Sequence, residues 1–262
     1  MMGTIRFTAA SKTYPGATGV RALDDVNLGI GEGEFVALLG PSGCGKSTLL
    51  NLVAGFEELT EGTLTFDDRP VTRPGPDRGV VFQEASLLPW LSVWENVVFG
   101  PKVQKLRRAD YEPRAREMLR IVGLEKFHGA LPVQLSGGMR QRVGIARALV
   151  MQPRALLMDE PFGALDAQTR LSMQQLLLEV WEKLKTTVLF VTHDIDEAIL
   201  LADRVCVMTA RPGRINRELP IDLRRPRSID VLTSADFTRY KALIMTEMRG
   251  AHCDGVSANP FG

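Results

Sequence analysis

Residues 35–48 read Phe35-Val-Ala-Leu-Leu39-Gly40-Pro41-Ser42-Gly43-Cys44-Gly45-Lys46-Ser47-Thr48, and this stretch decides the fold. Five apolar residues are too few for a helix and too continuous for a strand with one wet face, so they predict a strand buried on both sides, as in a parallel sheet. The run stops at Gly40 and opens into a glycine-rich loop with the Walker A pattern, followed by a helix-like run from Thr48 to Ala54. Glycines let the backbone wrap a phosphate, successive N–H groups point inward, and the new helix adds the positive end of its dipole. In such a loop Lys46 would reach the β- and γ-phosphates of a nucleotide and Ser47 would ligate Mg²⁺. With ordinary glycine usage, a chance match in a chain of this length is on the order of one per cent.

Three more short apolar runs share this character: 80–82, 155–158 and 188–191. The last two end in polar stops, Asp159-Glu160 and Thr192-His193-Asp194. Ligands of open α/β sheets bind beyond the carboxyl ends of the strands, so Gly40 and these two stops should converge on one crevice. Thr4 to Thr8 and Gly62 to Phe66 alternate around turn residues and predict a small antiparallel sheet beside the core. Helical spacing in 111–122 and 138–150 makes residues 85–152 a helical lobe inserted into the sheet domain. The expected organisation is an α/β P-loop NTPase core with an antiparallel β subdomain (1–84 and 153–220), the helical subdomain (85–152), and a closing helix near 234–248 with its tail (221–262).

The 32 basic and 31 acidic residues leave a net charge of +1, which offers nucleic acid or an anionic membrane no bulk attraction. Three scattered cysteines, Cys44, Cys206 and Cys253, match neither a disulfide framework nor a metal site and fit a reducing, cytosolic compartment. No apolar run approaches the roughly 18–20 residues that span a bilayer. Six arginines between 211 and 227 are interrupted by prolines and acids and predict a solvated surface. His252-Cys253-Asp254 reads as tail rather than metal site, and His128 has no partner pattern.

Two further motifs carry chemistry. Asp159-Glu160 stands where a Walker B pair belongs: the aspartate would hold magnesium, usually through water, and the glutamate can lean towards the water that attacks the γ-phosphate. Leu135-Ser136-Gly137-Gly138-Met139-Arg140-Gln141 opens an amphipathic segment, so the Ser136 hydroxyl and the following N–H groups form an anion seat at a helix start. A cap-and-turn role is physically adequate for these residues taken alone. Residues 87–97, with two of the three tryptophans, suit either the core of the helical lobe or a groove for a partner's helix.

In combination these motifs resemble the ATP-binding-cassette (ABC) ATPases, in the right order over residues 4–210: Gly40 to Ser47, Gln83, 135–141, Asp159-Glu160, Ala164-Leu165-Asp166 and His193. The resemblance implies a head-to-tail homodimer in which ATP bound by the loop Gly40 to Thr48 of one subunit is closed over by Ser136, Gly137, Gly138 and Gln141 of the other. It further implies that Glu160 is the general base, that Gln83 senses metal and attacking water, that His193 contacts the γ-phosphate, and that Asp166 joins the two sites. Tyr14 takes the place where the family stacks an aromatic on adenine. Met139 departs from the family's usual glutamine, but backbone groups do most of the anion binding there. Gly79-Val-Val-Phe-Gln83, Leu-Leu-Pro-Trp90 and Arg211-Pro-Gly-Arg-Ile215 look most like the taurine, alkanesulfonate and nitrate importer group.

That likeness implies an ATPase on the cytoplasmic side of a bacterial inner membrane, bound to a separate permease and served by a solute-binding protein. Taurine or another sulfonate is the first expectation for the cargo, with nitrate, cyanate or a pyrimidine precursor as alternatives. Exporter and lipoprotein-release ATPases are rivals. Chromosome-type and ribosome-type ABC ATPases need coiled coils or a second cassette that 262 residues cannot hold, and a P-loop kinase leaves Ser136-Gly137-Gly138 without a role.

Overall fold

The computed structural model describes residues 3–16 and 19–253; Asp254 and the side chains of His252 and Cys253 lie outside the described residues. The larger sheet is built around β3 (Phe35–Leu39), whose neighbours are β8 (Thr187–Thr192) and β9 (Arg204–Met208); β7 (Ala155–Asp159) and β6 (Arg78–Val81) extend it on one side and β10 (Ile215–Pro220) on the other. All of its pairings are parallel except that of β10, which runs antiparallel to β9.

The apolar runs behave as doubly buried strands. In β3, Phe35, Ala37 and Leu39 face one core while Val36 and Leu38 face the other. Val188 and Phe190 of β8 split from Leu189 and Val191 in the same way, as the two-residue period of a strand requires. The first core is covered by α6 (Ala167–Leu184), α7 (Ile195–Leu201) and α8 (Ala235–Cys253). The second is closed by α1 (Lys46–Ala54) and a four-stranded antiparallel sheet, ordered β2 (Val20–Ile30), β1 (Ile5–Tyr14), β4 (Glu61–Phe66), β5 (Arg69–Pro70). Within it, β1 pairs with β4 from Ile5↔Phe66 onward.

Between β6 and β7 lie α2 (Val93–Val97), α3 (Phe99–Val103), α4 (Arg108–Ile121) and α5 (Gly137–Leu149). Residues 87–97 prove to be divided between core and surface. Val93 and Val97 are fully buried, whereas Trp90 is 72% exposed. The loop is shaped by buried Asn96, whose Oδ1 accepts from the Leu88 N–H at 2.9 Å and whose Nδ2 donates to the carbonyls of Leu88, Leu91 and Ser92.

Arg211, Arg214, Arg217 and Arg224 are exposed, as expected of a solvated surface, but Arg225 and Arg227 depart from it. Arg227 is buried and donates to the carbonyls of Ile199 (3.0 Å), Leu200 (3.3 Å) and Ala202 (2.6 Å) at the end of α7, and to those of Ile221 (2.8 Å) and Leu223 (3.2 Å). Burial pushes its guanidinium down to about 10. Arg225 stacks 4.0 Å from the Trp181 ring centroid and bonds Asp203 at 2.8 Å. Charge counting sees only that arginines are hydrophilic; unpaired helix-end carbonyls are equally good partners for them. Arg227→Ala should therefore cost about 3 kcal/mol, since it strands several buried carbonyls, while exposed Arg217→Ala stays within about 0.5 kcal/mol of wild type. Denaturant unfolding followed by circular dichroism measures both.

Candidate nucleotide site

The phosphate loop sits between β3 and α1 and owes its shape to glycine at one crowded point. Gly45 has φ 96°, and a β-carbon there would stand 2.6 Å from Leu23 Cδ2 and 2.9 Å from the Ala22 carbonyl oxygen. Lys46 is buried and its Nζ donates to the carbonyls of Gly40 at 2.8 Å and Pro41 at 3.1 Å. A cavity of about 460 Å³ opens at the loop, lined by Ser42, Gly43, Gly45, Lys46, Ser47, Thr48 and Glu160 together with Tyr14, Val20 and Ala22. The Tyr14 hydroxyl lies 3.5 Å from Thr48 Oγ1.

The three polar strand ends meet because β3, β8 and β7 are adjacent. Ser47 Oγ donates to Asp159 Oδ1 at 3.1 Å, and Glu160 donates its backbone N–H to the Val191 carbonyl at 2.9 Å. His193 Nδ1 lies 3.0 Å from Glu160 Oε2. Burial raises the Asp159 carboxyl above its ordinary range, opposed by the Ser47 hydrogen bond and reinforced by the Glu160 charge. A serine hydroxyl and a carboxylate side by side are hard oxygen donors of the kind magnesium takes. Gln83 reaches the same neighbourhood: a β-carbon added to Gly163 would stand 3.1 Å from its Nε2.

The segment 135–141 lies elsewhere. Ser136 caps α5, its hydroxyl accepting from the Met139 N–H at 3.2 Å, and both Ser136 and Gly137 are exposed. None of its residues lines the cavity over Lys46. Gly138 packs against the start of α6, where a β-carbon would meet Thr169 Cγ2 at 2.5 Å, and Asp166 caps α6 by accepting from the Thr169 N–H at 3.0 Å. Gln141 is buried and donates to the Phe82 carbonyl of its own chain at 3.1 Å. Further along α5, Arg147 donates to the carbonyls of Ala85 and Ser86, both at 2.9 Å. The loop bearing Gln83 is thus held on either side by α5.

Arg211 belongs to the cavity lining, with Nε donating to the Gly43 carbonyl at 3.3 Å. Counting it among solvated arginines missed this, although its place just beyond the carboxyl end of β9 was the available signal. Val20 and Ala22 were missed because β2 carries the acidic pair Asp24-Asp25 and lacks clean alternation.

A parallel sheet whose strand ends gather a phosphate loop, an Asp-Glu pair and a histidine defines a P-loop nucleotide-hydrolase domain. The sequence profile of the family described as ABC transporter matches residues 23–163. The chain belongs to that family, and it is an ABC-type ATPase. It is 56% identical over 206 residues, covering 79% of each chain, to a taurine import ATP-binding protein of Rhizobium johnstonii. Over 261 residues it is 44% identical to a nitrate import ATP-binding protein of Synechocystis, covering 97% of this chain and 98% of that one. A solved dimeric, post-hydrolysis ATP-binding cassette bound to ADP and Pi is 37% identical and covers 84% of this chain and all of that chain, with a TM-score of 0.72. Among the described residues no helix is long and apolar enough to cross a membrane.

Proposed function

We propose that this chain is the ATP-hydrolysing subunit of an importer, acting as a head-to-tail homodimer against a separate integral-membrane permease on its cytoplasmic face. The observation that carries the dimer is the exposed helix start at Ser136 and Gly137, which has no share in the cavity of its own chain. A second copy supplies the anion. Support for import comes from the taurine and nitrate import relatives.

Each residue then has a task. Tyr14 stacks on adenine, the loop from Gly40 to Thr48 holds the phosphates, Glu160 orients and deprotonates the attacking water, and His193 contacts the γ-phosphate. Ser47 and Asp159, assisted by Gln83, hold Mg²⁺, which when bound offsets charge on the phosphate oxygens. Asp166 joins the paired sites. Exposed Trp90 belongs to the surface that meets the permease. Taurine or another aliphatic sulfonate is the preferred cargo because that relative has the higher identity. Nitrate is the second reading, favoured by a relative that matches nearly end to end. A solute-binding protein completes the complex, and no nucleic acid takes part.

Glu160→Gln should retain ATP binding while hydrolysis falls about 10²- to 10⁴-fold, the usual worth of a general base; turnover near wild type in a phosphate-release assay removes Glu160 from that role. Ser136→Arg should leave nucleotide binding by the monomer intact and lower turnover roughly 10²-fold or more through lost charge stabilisation. Cooperative turnover preserved in that variant contradicts a shared site. For the cargo, calorimetry of the solute-binding protein that co-purifies with the complex should show taurine binding tighter than nitrate, and the reverse order selects the second reading.

A further inference from the structure

Directly behind Glu160 and His193 lies a set of side chains to which the proposed chemistry gives no task. Glu197, on the first turn of α7, is 4% exposed. Its Oε2 accepts from the Thr192 hydroxyl at 2.7 Å and its Oε1 from Gln174 Nε2 at 3.1 Å. The Thr192 hydroxyl oxygen in turn accepts from the Asp194 N–H at 3.0 Å. His193 is therefore bracketed: the residue before it and the residue after it are tied to one buried carboxylate through a single hydroxyl. A small cavity of about 10 Å³ is lined by Glu160, His193 and Glu197 together with Arg170, so Glu197 neighbours the Glu160–His193 pair.

The same set reaches α6, the helix that Asp166 caps. Gln174 is on α6, and so is Arg170, which donates to the Leu165 carbonyl at 3.1 Å and lies 3.6 Å from Asp194. Two separate contacts therefore join the helix following loop 163–166 to the turn that carries His193. A buried carboxylate with both oxygens engaged has little freedom to move, and a shift of α6 must move the His193 turn with it.

We propose that Glu197 is a positioning residue for His193: through Thr192 and Gln174 it fixes the His193 turn against α6, so that contacts made by a second subunit at loop 163–166 set the distance between His193 and Glu160. This rests on the dimeric ATPase reading above. It requires the hydrogen bonds and not the negative charge. In Glu197→Gln, the side-chain oxygen still accepts from Thr192, and Gln174 can turn its amide to accept from the new N–H₂.

The test uses the full-length chain with Glu197→Ala, Glu197→Gln and Thr192→Val, the last being nearly isosteric and a good strand residue should the alanine variant fold poorly. Glu197→Ala and Thr192→Val should lower kcat about 10- to 100-fold, as small misplacements of a reacting group do, with ATP affinity within about twofold of wild type and Glu197→Gln restoring most of the rate. In a His193→Ala background the same substitutions should add less than a further twofold. Additive losses, a change in ATP affinity instead of kcat, or equal damage from Glu197→Gln and Glu197→Ala overturns the proposal.

A second readout does not depend on hydrolysis. The chain has three histidines, so the ¹⁵N imidazole signals of His193 are assigned by their loss in His193→Ala. Thr192→Val should shift them in the nucleotide-free protein, and Glu197→Gln should leave them close to wild type. Unchanged signals in Thr192→Val sink the positioning role even if the ATPase reading stands, and shifted signals uphold the role even if it falls.

Discussion

The chemistry of this protein hangs from three neighbouring strands that are buried on both faces. Because β7, β8 and β3 have no wet side, their register is fixed by two cores at once, and a slip of one residue would exchange every side chain between those cores. That rigidity reaches the site through short covalent steps: Gly40 follows Leu39, Asp159 ends β7, and His193 follows Thr192. The Glu160 N–H bond to Val191 carries the ladder one residue past β7, so Glu160 inherits the precision of the sheet while holding φ at 44°. A positive φ in a non-glycine residue is uncommon, and the Glu160 carboxylate lies 3.0 Å from His193 Nδ1.

Electrostatically the site separates its charges by burial. Lys46 is buried beneath the loop with carbonyl partners, and Asp159 is raised by burial with Glu160 beside it. The Glu160 charge adds to the burial that raises Asp159. Lys46 opposes that rise, and a magnesium ion, which Ser47 and Asp159 would hold, would oppose it further.

How much of this was legible in the residues follows from the kind of signal each part emits. The apolar runs of β3, β7 and β8 announce themselves because double burial demands unbroken hydrophobicity, and the glycine loop does so because backbone wrapping demands glycine. By contrast β2 mixes Asp24-Asp25 with apolar residues and bends at a bulge against β1, so its period is blurred. Arg227 was unreadable for another reason: its partners are main-chain carbonyls, which every sequence possesses and none displays. Gln141 shows the same limit. Within its motif it could have faced outward, but its amide spans to the Phe82 carbonyl, and only the packing of α5 on the Gln83 loop reveals that.

The short helix α7 shows why these unreadable contacts matter to the site. It has seven residues, well below the roughly 12–15 at which an isolated helix becomes even marginally stable, so its own hydrogen bonds cannot hold it. Restraints from outside do so at both ends. Asp194 accepts from the N–H groups of Asp196 and Glu197 at the start, Arg227 gathers the carbonyls at the finish, and Lys241 of α8 pairs with Asp196 at 2.8 Å. His193 adjoins Asp194, the residue that caps this helix, and its surroundings are therefore not a local property of β8. The turn and helix that follow it are bonded to α6 through Gln174 and Glu197 and braced by Arg227 and by Lys241 of α8, so elements far along the chain meet beside the residue assigned to the γ-phosphate.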